Sequence, residues 1–241
     1  MITVITCVKE DTEDLWKTYE SIKDLLCNKI HWIVKLSQYC SNNFYDKLTF
    51  HPNIIVEQAN DVSIYDAINQ ALKVCSSEFY LVLGAGDRLI EGAFKQAIDN
   101  IQLNKNMDSF FYACVMQSHN SKLFLPKPGE ISQSMSCPHP GAILKTLFSK
   151  EIGYYSNKYE IAADYEHLSK YLQKYSHVYS SELAISEFMG GGMSEHRYLE
   201  GALEEELIRI RLFKSNEYAV QARVLHRFIT PVANLLLSNF K

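Results

Sequence analysis

The stretch Phe79-Tyr-Leu-Val-Leu-Gly-Ala-Gly-Asp87 is the most informative part of this sequence. Its five leading apolar residues predict a buried strand. The small residues after them predict a tight turn, which places Asp87 where the strand ends. In open α/β sheets, ligands bind in the crevice beyond the carboxyl ends of the strands. Because Mg²⁺ and Mn²⁺ prefer oxygen ligands, we expect Asp87 to hold a divalent cation there, together with a diphosphate.

Strands and helices alternate on both sides of this turn. The predicted strands of the first half are residues 2–8, 32–36, 53–56 and 79–83. The predicted helices are residues 12–26, 62–74 and 91–103, with Ser63 as the N-cap of the second. This order argues for an α/β fold with a mostly parallel sheet flanked by helices.

The second half of the chain is less regular. Extended segments are predicted at 110–117 and 178–188, a helix at 162–175, a loop at 118–136 and a flexible turn at 190–192. Pro138-His139-Pro140-Gly141 is not expected to form regular structure. Amphipathic helices are predicted at 199–212 and 219–237, the latter interrupted by Pro231. We therefore divide the chain into a main domain, residues 1–198, and a helical C-terminal extension, residues 199–241.

Composition sets limits on the function. The chain has 241 residues, 47% of them apolar, and a net charge of −4, which does not indicate a nucleic-acid partner. It begins with strand-like residues and has no basic segment of a secretory signal, and no apolar run is long enough to cross a membrane. The six cysteines are widely spaced, without a metal or disulfide pattern. We expect a cytoplasmic protein with reduced thiols.

Four further segments accompany the central one: Ile64-Tyr-Asp-Ala-Ile-Asn69, Pro138-His-Pro-Gly-Ala-Ile143, Tyr159-Glu-Ile-Ala-Ala-Asp-Tyr165 and Ser186-Glu-Phe-Met-Gly-Gly-Gly-Met-Ser194. Each is weak by itself, but in this order and spacing they resemble the family-2 glycosyltransferases with the GT-A fold. The likeness covers roughly residues 1–200 and is greatest to the bacterial exopolysaccharide, colanic-acid and O-antigen type. It implies transfer of a sugar from a nucleotide-diphosphate sugar to a hydroxyl of a glycan or lipid-linked glycan, with inversion.

The resemblance also implies roles for individual residues. Asp87 matches the last position of the acidic metal signature and would hold Mn²⁺ or Mg²⁺ on the donor diphosphate. Asp164 matches the base that takes the proton of the acceptor hydroxyl, and His139 would face the active site. Competing interpretations are that Asp87 caps the following helix, that Asp164 is a first-turn helix acid, and that the neighbouring Glu166 is the base.

Five more residues would contact the donor if the resemblance holds. Thr6 and Glu10 match the first nucleotide-contact loop, and Asp61 matches an acid near the nucleotide. Asp66 lies on a helix that packs beneath the donor. Arg197, after the Gly190-Gly-Gly turn, would grip phosphate with exposed backbone N–H groups. Ordinary loop polarity or a structural hydrogen bond into the sheet explains these residues equally well.

The chain departs from the family pattern at two places. Gly84 and Gly86 stand where the family often has Asn, Asp or Ser, and Leu36 occupies the position of an Asp that holds the uracil or ribose. These departures favour an alternative from a different class, a catalytically inactive GT-A-like binding or scaffold subunit. A nucleotidyltransferase is a further alternative, although no Gly-rich phosphate loop near the N-terminus supports it.

The C-terminal segment is basic. Residues 207–241 contain six Lys or Arg residues and one acid, Glu217, interleaved with apolar residues. A basic amphipathic helix of this kind binds anionic membrane surfaces, which would place the enzyme at the inner membrane. The competing interpretation is a helix packed on the main domain or in a homodimer.

Overall fold

The computed structural model describes residues 1–41, 46 and 48–214. In chain order, the strands are β1 (Ile2–Val8), β2 (Ile30–Leu36), β3 (Ile54–Gln58), β4 (Phe79–Val82), β5 (Arg88–Leu89), β6 (Ser109–Met116), β7 (Lys122–Phe124), β8 (Ala142–Lys145) and β9 (Val178–Phe188). The α-helices among these residues are α1 (Asp14–Ile22), α2 (Ile64–Val74), α3 (Glu91–Leu103), α4 (Thr146–Glu151), α5 (Ala163–Lys174), α6 (Met193–His196) and α7 (Tyr198–Phe213).

The strands form one sheet in the order β3-β2-β1-β4-β8-β6-β9-β5, with β7 paired to β6. Strands β3, β2, β1 and β4 are parallel, as the alternation of strands and helices predicts. Strand β8 runs antiparallel to both of its neighbours, β4 and β6, whereas β6 and β9 are parallel. The predicted α/β fold with flanking helices is therefore confirmed, and the sheet is mixed, its parallel half coming from the first 82 residues.

The start of helix α2 is set by hydrogen bonds between residues close together in the chain. Ser63 has an extended backbone, and its Oγ accepts a hydrogen bond from Asp66 N at 3.1 Å. The Asp66 carboxylate in turn accepts from Val62 N at 3.1 Å, which resembles a capping box. The predicted Ser63 cap is confirmed. The buried face of the helix, which includes Tyr65 and Ile68, packs on the sheet.

The sheet is covered on both faces. Phe110 and Phe111 are neighbours in β6 and fully buried, yet they belong to two different apolar clusters on opposite sides of the sheet. Ile208 of α7 belongs to the second cluster, so this helix packs against the sheet domain. Within the described ranges, no helix has both the length and the apolar character needed to span a bilayer.

Several predicted boundaries differ from the structure. The predicted helix 12–26 ends at Ile22 and continues as a short 3₁₀ turn, Lys23–Leu25. The predicted loop 118–136 contains strand β7, and the segment around His139 forms a 3₁₀ turn, His139–Gly141. The predicted helix 199–212 is confirmed as α7. The predicted helix 219–237 lies outside the described residues.

Candidate active site

Asp87 lies where the sequence places it, just beyond the carboxyl end of β4, and only 6% of its surface is exposed. Its Oδ1 accepts a hydrogen bond from Met189 N at 2.9 Å, and its Oδ2 accepts from Gly84 N at 3.2 Å. The N-cap residue of α3 is Ile90, so the interpretation of Asp87 as the cap of the following helix is wrong. The carboxylate is instead held between the β4 turn and the segment after β9.

The two glycines of the turn have a structural reason. A Cβ at Gly84 would lie 2.7 Å from Asp87 Oδ2, so any side chain there would displace the carboxylate. Gly86 has φ +100°, a backbone conformation that L-residues rarely adopt. Glycines at positions 84 and 86, where the family pattern often has Asn, Asp or Ser, are therefore explained by how this turn positions the Asp87 carboxylate.

Asp87 is a buried carboxylate whose described hydrogen bonds come from two backbone N–H groups. Burial raises its pKa to about 6, and the two backbone N–H groups only partly oppose this shift. A small cleft of about 230 Å³ opens beside it, and no Lys or Arg is among the described residues that line this cleft. An anionic ligand here requires a countercharge that these lining side chains do not supply.

Asp164 lines the same cleft from the first turn of α5. Its Oδ1 lies 3.4 Å from the Tyr65 hydroxyl and 2.8 Å from the backbone N of Tyr165. Burial raises the pKa of Asp164 to about 6, and the nearby charge of Glu205 adds to the effect. Asp164 also borders a second cavity of about 690 Å³. A carboxylate that lines both cavities is well placed to take a proton from a group bound in the larger one.

Glu166, the alternative base, points elsewhere. Its side chain is almost fully buried and forms ion pairs with Lys170, at 3.1 Å, and with Arg211. It lines neither cavity. Of the two acids, Asp164 therefore faces the cavities and Glu166 is held in ion pairs away from them.

His139 lines both cavities and belongs to a buried hydrogen-bond network. Its Nε2 lies 2.9 Å from the Tyr155 hydroxyl, which lies 3.2 Å from the Tyr80 hydroxyl. Tyr80 continues the network to Ser149, at 2.9 Å, and to His167, at 3.2 Å. Burial lowers the pKa of His139 to about 4, so its imidazole is neutral near pH 7.

Sequence reasoning missed this network. Tyr155 stacks on the His167 ring with centroids 4.0 Å apart, and its hydroxyl bonds to two residues far apart in the chain, Tyr80 and His139. A tyrosine in an irregular segment carries no periodic or motif signal, so nothing local could have identified it.

Three of the predicted donor contacts have partners within the protein. Thr6 is fully buried and accepts a hydrogen bond from Trp32 Nε1 at 3.0 Å. Asp61 lies 3.5 Å from the buried Lys35 ammonium, which also donates to two backbone carbonyls. Asp66 lies in the first turn of α2 and accepts the hydrogen bond from Val62 N described above. None of the three lines either cavity.

The other two residues predicted to contact the donor, Glu10 and Arg197, line neither cavity. Glu10 is exposed. Arg197 forms ion pairs with Glu160, at 2.6 Å, and with Glu200. Of this group, Glu160 lines the smaller cleft. Leu36 is fully buried in the apolar core, so it offers no polar group to a nucleotide.

The fold is similar to that of solved structures, some of which contain a bound nucleotide sugar. S. aureus TarS matches with a TM-score of 0.65 and 17% identity, covering 95% of this chain and 70% of that one. TarS in complex with UDP-GlcNAc matches with a TM-score of 0.65 and 16% identity, covering 95% and 71%. The mannosyltransferase PcManGT from Pyrobaculum calidifontis, in complex with GDP-Man and Mn²⁺, matches with a TM-score of 0.70 and 12% identity, covering 96% and 71%.

At these identities the comparisons establish the fold: the chain has the GT-A fold of glycosyltransferases, and the predicted likeness is confirmed at that level. No protein-family model and no curated protein sequence matches the chain.

Proposed function

We propose that this chain is a glycosyltransferase that moves a sugar from a nucleotide-diphosphate donor to an acceptor hydroxyl. The observation that carries the proposal is the shared cleft, in which Asp87, Asp164 and His139 meet at the carboxyl end of β4. Ligands of open α/β sheets bind at this edge. Similar folds hold UDP-GlcNAc in TarS and GDP-Man with Mn²⁺ in PcManGT, which supports a nucleotide sugar as the donor.

We propose Mn²⁺ or Mg²⁺ as the cofactor, with Asp87 as its protein ligand. Among the described residues, no group of three or more His, Cys, Asp or Glu side chains could hold a metal ion alone. Mg²⁺ commonly binds through one or two carboxylates together with substrate phosphates and water. The buried Asp87 and the lack of Lys or Arg among the described lining residues fit this mode. When bound, the cation would neutralise the departing diphosphate.

In this proposal Asp164 is the general base. It is ionised near pH 7 and accepts the proton of the acceptor hydroxyl as the acceptor oxygen bonds to the anomeric carbon. The bond between the anomeric carbon and the diphosphate breaks on the opposite side, so the configuration inverts and the nucleoside diphosphate leaves. Neutral His139 would hold a substrate hydroxyl or phosphate oxygen through a hydrogen bond.

We place the reaction in bacterial surface polysaccharide synthesis, in the cytoplasm and at the inner membrane, with a glycan or lipid-linked glycan as acceptor. An apolar stripe on α7 supports contact with a membrane surface. Its members are all more than 40% exposed: Leu199, Leu203, Leu207 and Ile210. The same stripe would also serve a homodimer. An inactive scaffold is not favoured, because Asp87 and Asp164 both line an open cleft.

Calorimetry with UDP, GDP, dTDP and CDP, with and without Mn²⁺, tests the proposal. We expect one diphosphate to bind in a Mn²⁺-dependent way, and Asp87→Asn to remove this dependence. Asp99→Asn, the same change at an exposed site on α3, is the matched control and should bind as the wild type does. Asp164→Asn should retain nucleotide binding and lose turnover. If the folded wild-type protein binds none of the four diphosphates, the proposal is wrong.

A further inference from the structure

The larger cavity adjoins the cleft through shared residues. It encloses about 690 Å³ and shares Asp164, His139, Pro140, Ile161 and Phe188 with the smaller cleft. Its volume lies within the range of small-molecule sites, roughly 300 to 1,000 Å³. A group bound in the larger cavity can therefore reach Asp164 without displacing a ligand beside Asp87.

The walls of the larger cavity are largely apolar and aromatic. Phe124 comes from the end of β7 and Met135 from the irregular segment after it. Phe188 comes from the end of β9, and Tyr165 and Ala202 come from α5 and α7. Binding pockets for small molecules combine such surfaces with a few polar groups that fix orientation. Flat apolar surfaces suit the C–H faces of a sugar ring.

The charged groups of the cavity are carboxylates. Asp164, Glu195 and Glu205 line it, and no Lys or Arg does among residues 1–41, 46 and 48–214. Glu205 pairs with Arg209 at 3.4 Å, but Arg209 does not line the cavity and is shared with Glu206. His119, which does line the cavity, lies 3.7 Å from Glu195, so the acids still outnumber the cationic side chains around this cavity. Glu195 is held at the rim by Ser118 Oγ, at 2.6 Å, and Gly191 N, at 2.8 Å. Hydrogen bonding from Ser118 lowers the pKa of Glu195, so this carboxylate stays ionised near neutral pH. The cavity therefore presents negative charge to whatever enters it.

We infer that the larger cavity binds the acceptor, and that the sugar carrying the acceptor hydroxyl is uncharged, without a phosphate or carboxylate of its own. The inference rests on the proposed function, because it assigns this cavity to the acceptor of that reaction. A carboxylate about 6 Å from a second negative charge lowers affinity by about 100-fold at an effective dielectric constant near 20. Solvent reduces this effect, and we expect discrimination of at least about tenfold.

Binding of matched glycosides tests the inference without requiring turnover. Phenyl glycosides of glucose, galactose and mannose are compared with their 6-carboxylate counterparts by saturation-transfer NMR, with and without a bound nucleoside diphosphate. We expect at least one neutral glycoside to bind about tenfold or more tightly than its uronide, and the gap to narrow at high salt. Glu205→Gln should improve binding of the uronide several-fold relative to the neutral glycoside. Glu182→Gln, at an exposed site that does not line the cavity, should leave the ratio unchanged.

Equal or tighter binding of the uronides would overturn the inference, and so would the absence of glycoside binding from a protein that binds nucleotide. If no nucleotide binds but neutral glycosides are still preferred, the proposed donor reaction fails while the chemistry assigned to the cavity stands.

Discussion

Gly84→Ala tests how the chain positions Asp87. The added Cβ would lie 2.7 Å from Asp87 Oδ2, so the carboxylate must move and its hydrogen bond from Gly84 N is lost. A hydrogen bond to a charged group contributes about 1.5 to 3 kcal/mol. Gly84 does not have a positive φ, so alanine also reduces the entropy of the unfolded chain, which stabilises the protein by about 0.4 to 1 kcal/mol. The net expectation is a destabilisation of about 1 to 2 kcal/mol.

The functional consequence follows from the same displacement. The N–H of Gly84 lowers the pKa of Asp87, so its loss should raise that pKa further above 6. A displaced carboxylate that also stays protonated up to a higher pH is less available to a cation, because a proton competes with the metal for its oxygens. We therefore expect Mn²⁺-dependent nucleotide binding to weaken by about tenfold or more. Urea unfolding measures the first effect, and calorimetry with Mn²⁺ and the preferred diphosphate measures the second.

Gly92→Ala is the matched control. Gly92 lies in the first turn of α3, and a Cβ there would meet nothing within 4 Å. Alanine is the better helix former, so this variant should be as stable as the wild type or up to about 1 kcal/mol more stable. If Gly84→Ala matches Gly92→Ala in both stability and Mn²⁺-dependent binding, the assigned geometry of Asp87 is wrong.

Three further predictions concern the base and the histidines. Tyr155→Phe removes the hydroxyl that bonds to His139 and should lower kcat about tenfold with unchanged nucleotide binding, whereas Tyr175→Phe, at an exposed hydroxyl, should have no effect on steady-state kinetics. Because Asp164 must be ionised, kcat/KM should fall at least about tenfold per pH unit below pH 6, and a profile that stays flat to pH 5 would exclude Asp164 as the base. The pKa of His167 is lowered to about 3, so the stability that His167 confers is present above pH 6.5 and is lost as the pH falls toward 3. Between pH 6.5 and 4, urea unfolding should show that the wild type loses about 3 kcal/mol more than His167→Gln does, while both proteins keep the loss that arises from His139.

The parallel half of the sheet and its helices were predictable because their signals are local. Each predicted strand from β1 to β4 is an apolar run bounded by turn residues, and Ser63 caps α2 through contacts within four residues of the chain. The position of Asp87 at a strand end follows from the same local pattern. The direction of β8 and β9 does not, because side-chain periodicity reports which face is buried and not the direction in which a strand pairs.

The assembly of the cleft depends on contacts between residues far apart in the chain. Asp87 is bound by Met189 N across 102 residues, and Asp164 lies beside Tyr65 across 99. Lys35 of β2 is buried and lies 3.5 Å from Asp61. This pairing occupies an acid that the family motif alone would assign to the nucleotide. Contacts of this kind depend on how loops from distant parts of the chain pack together, so no local sequence pattern reports them.

The sequence alone therefore determined the strand–turn–helix units, the turn that ends in Asp87 and the acidic start of α5, because each depends on neighbours a few residues away. The tertiary structure alone decided that Asp87, Asp164 and His139 share one cleft, and that Tyr155 joins His139 to a buried network. It also decided that an apolar, carboxylate-bearing cavity opens beside the base. The reason is physical: burial and electrostatic environment are set by all the elements that pack around a group, and only the folded chain brings those elements together.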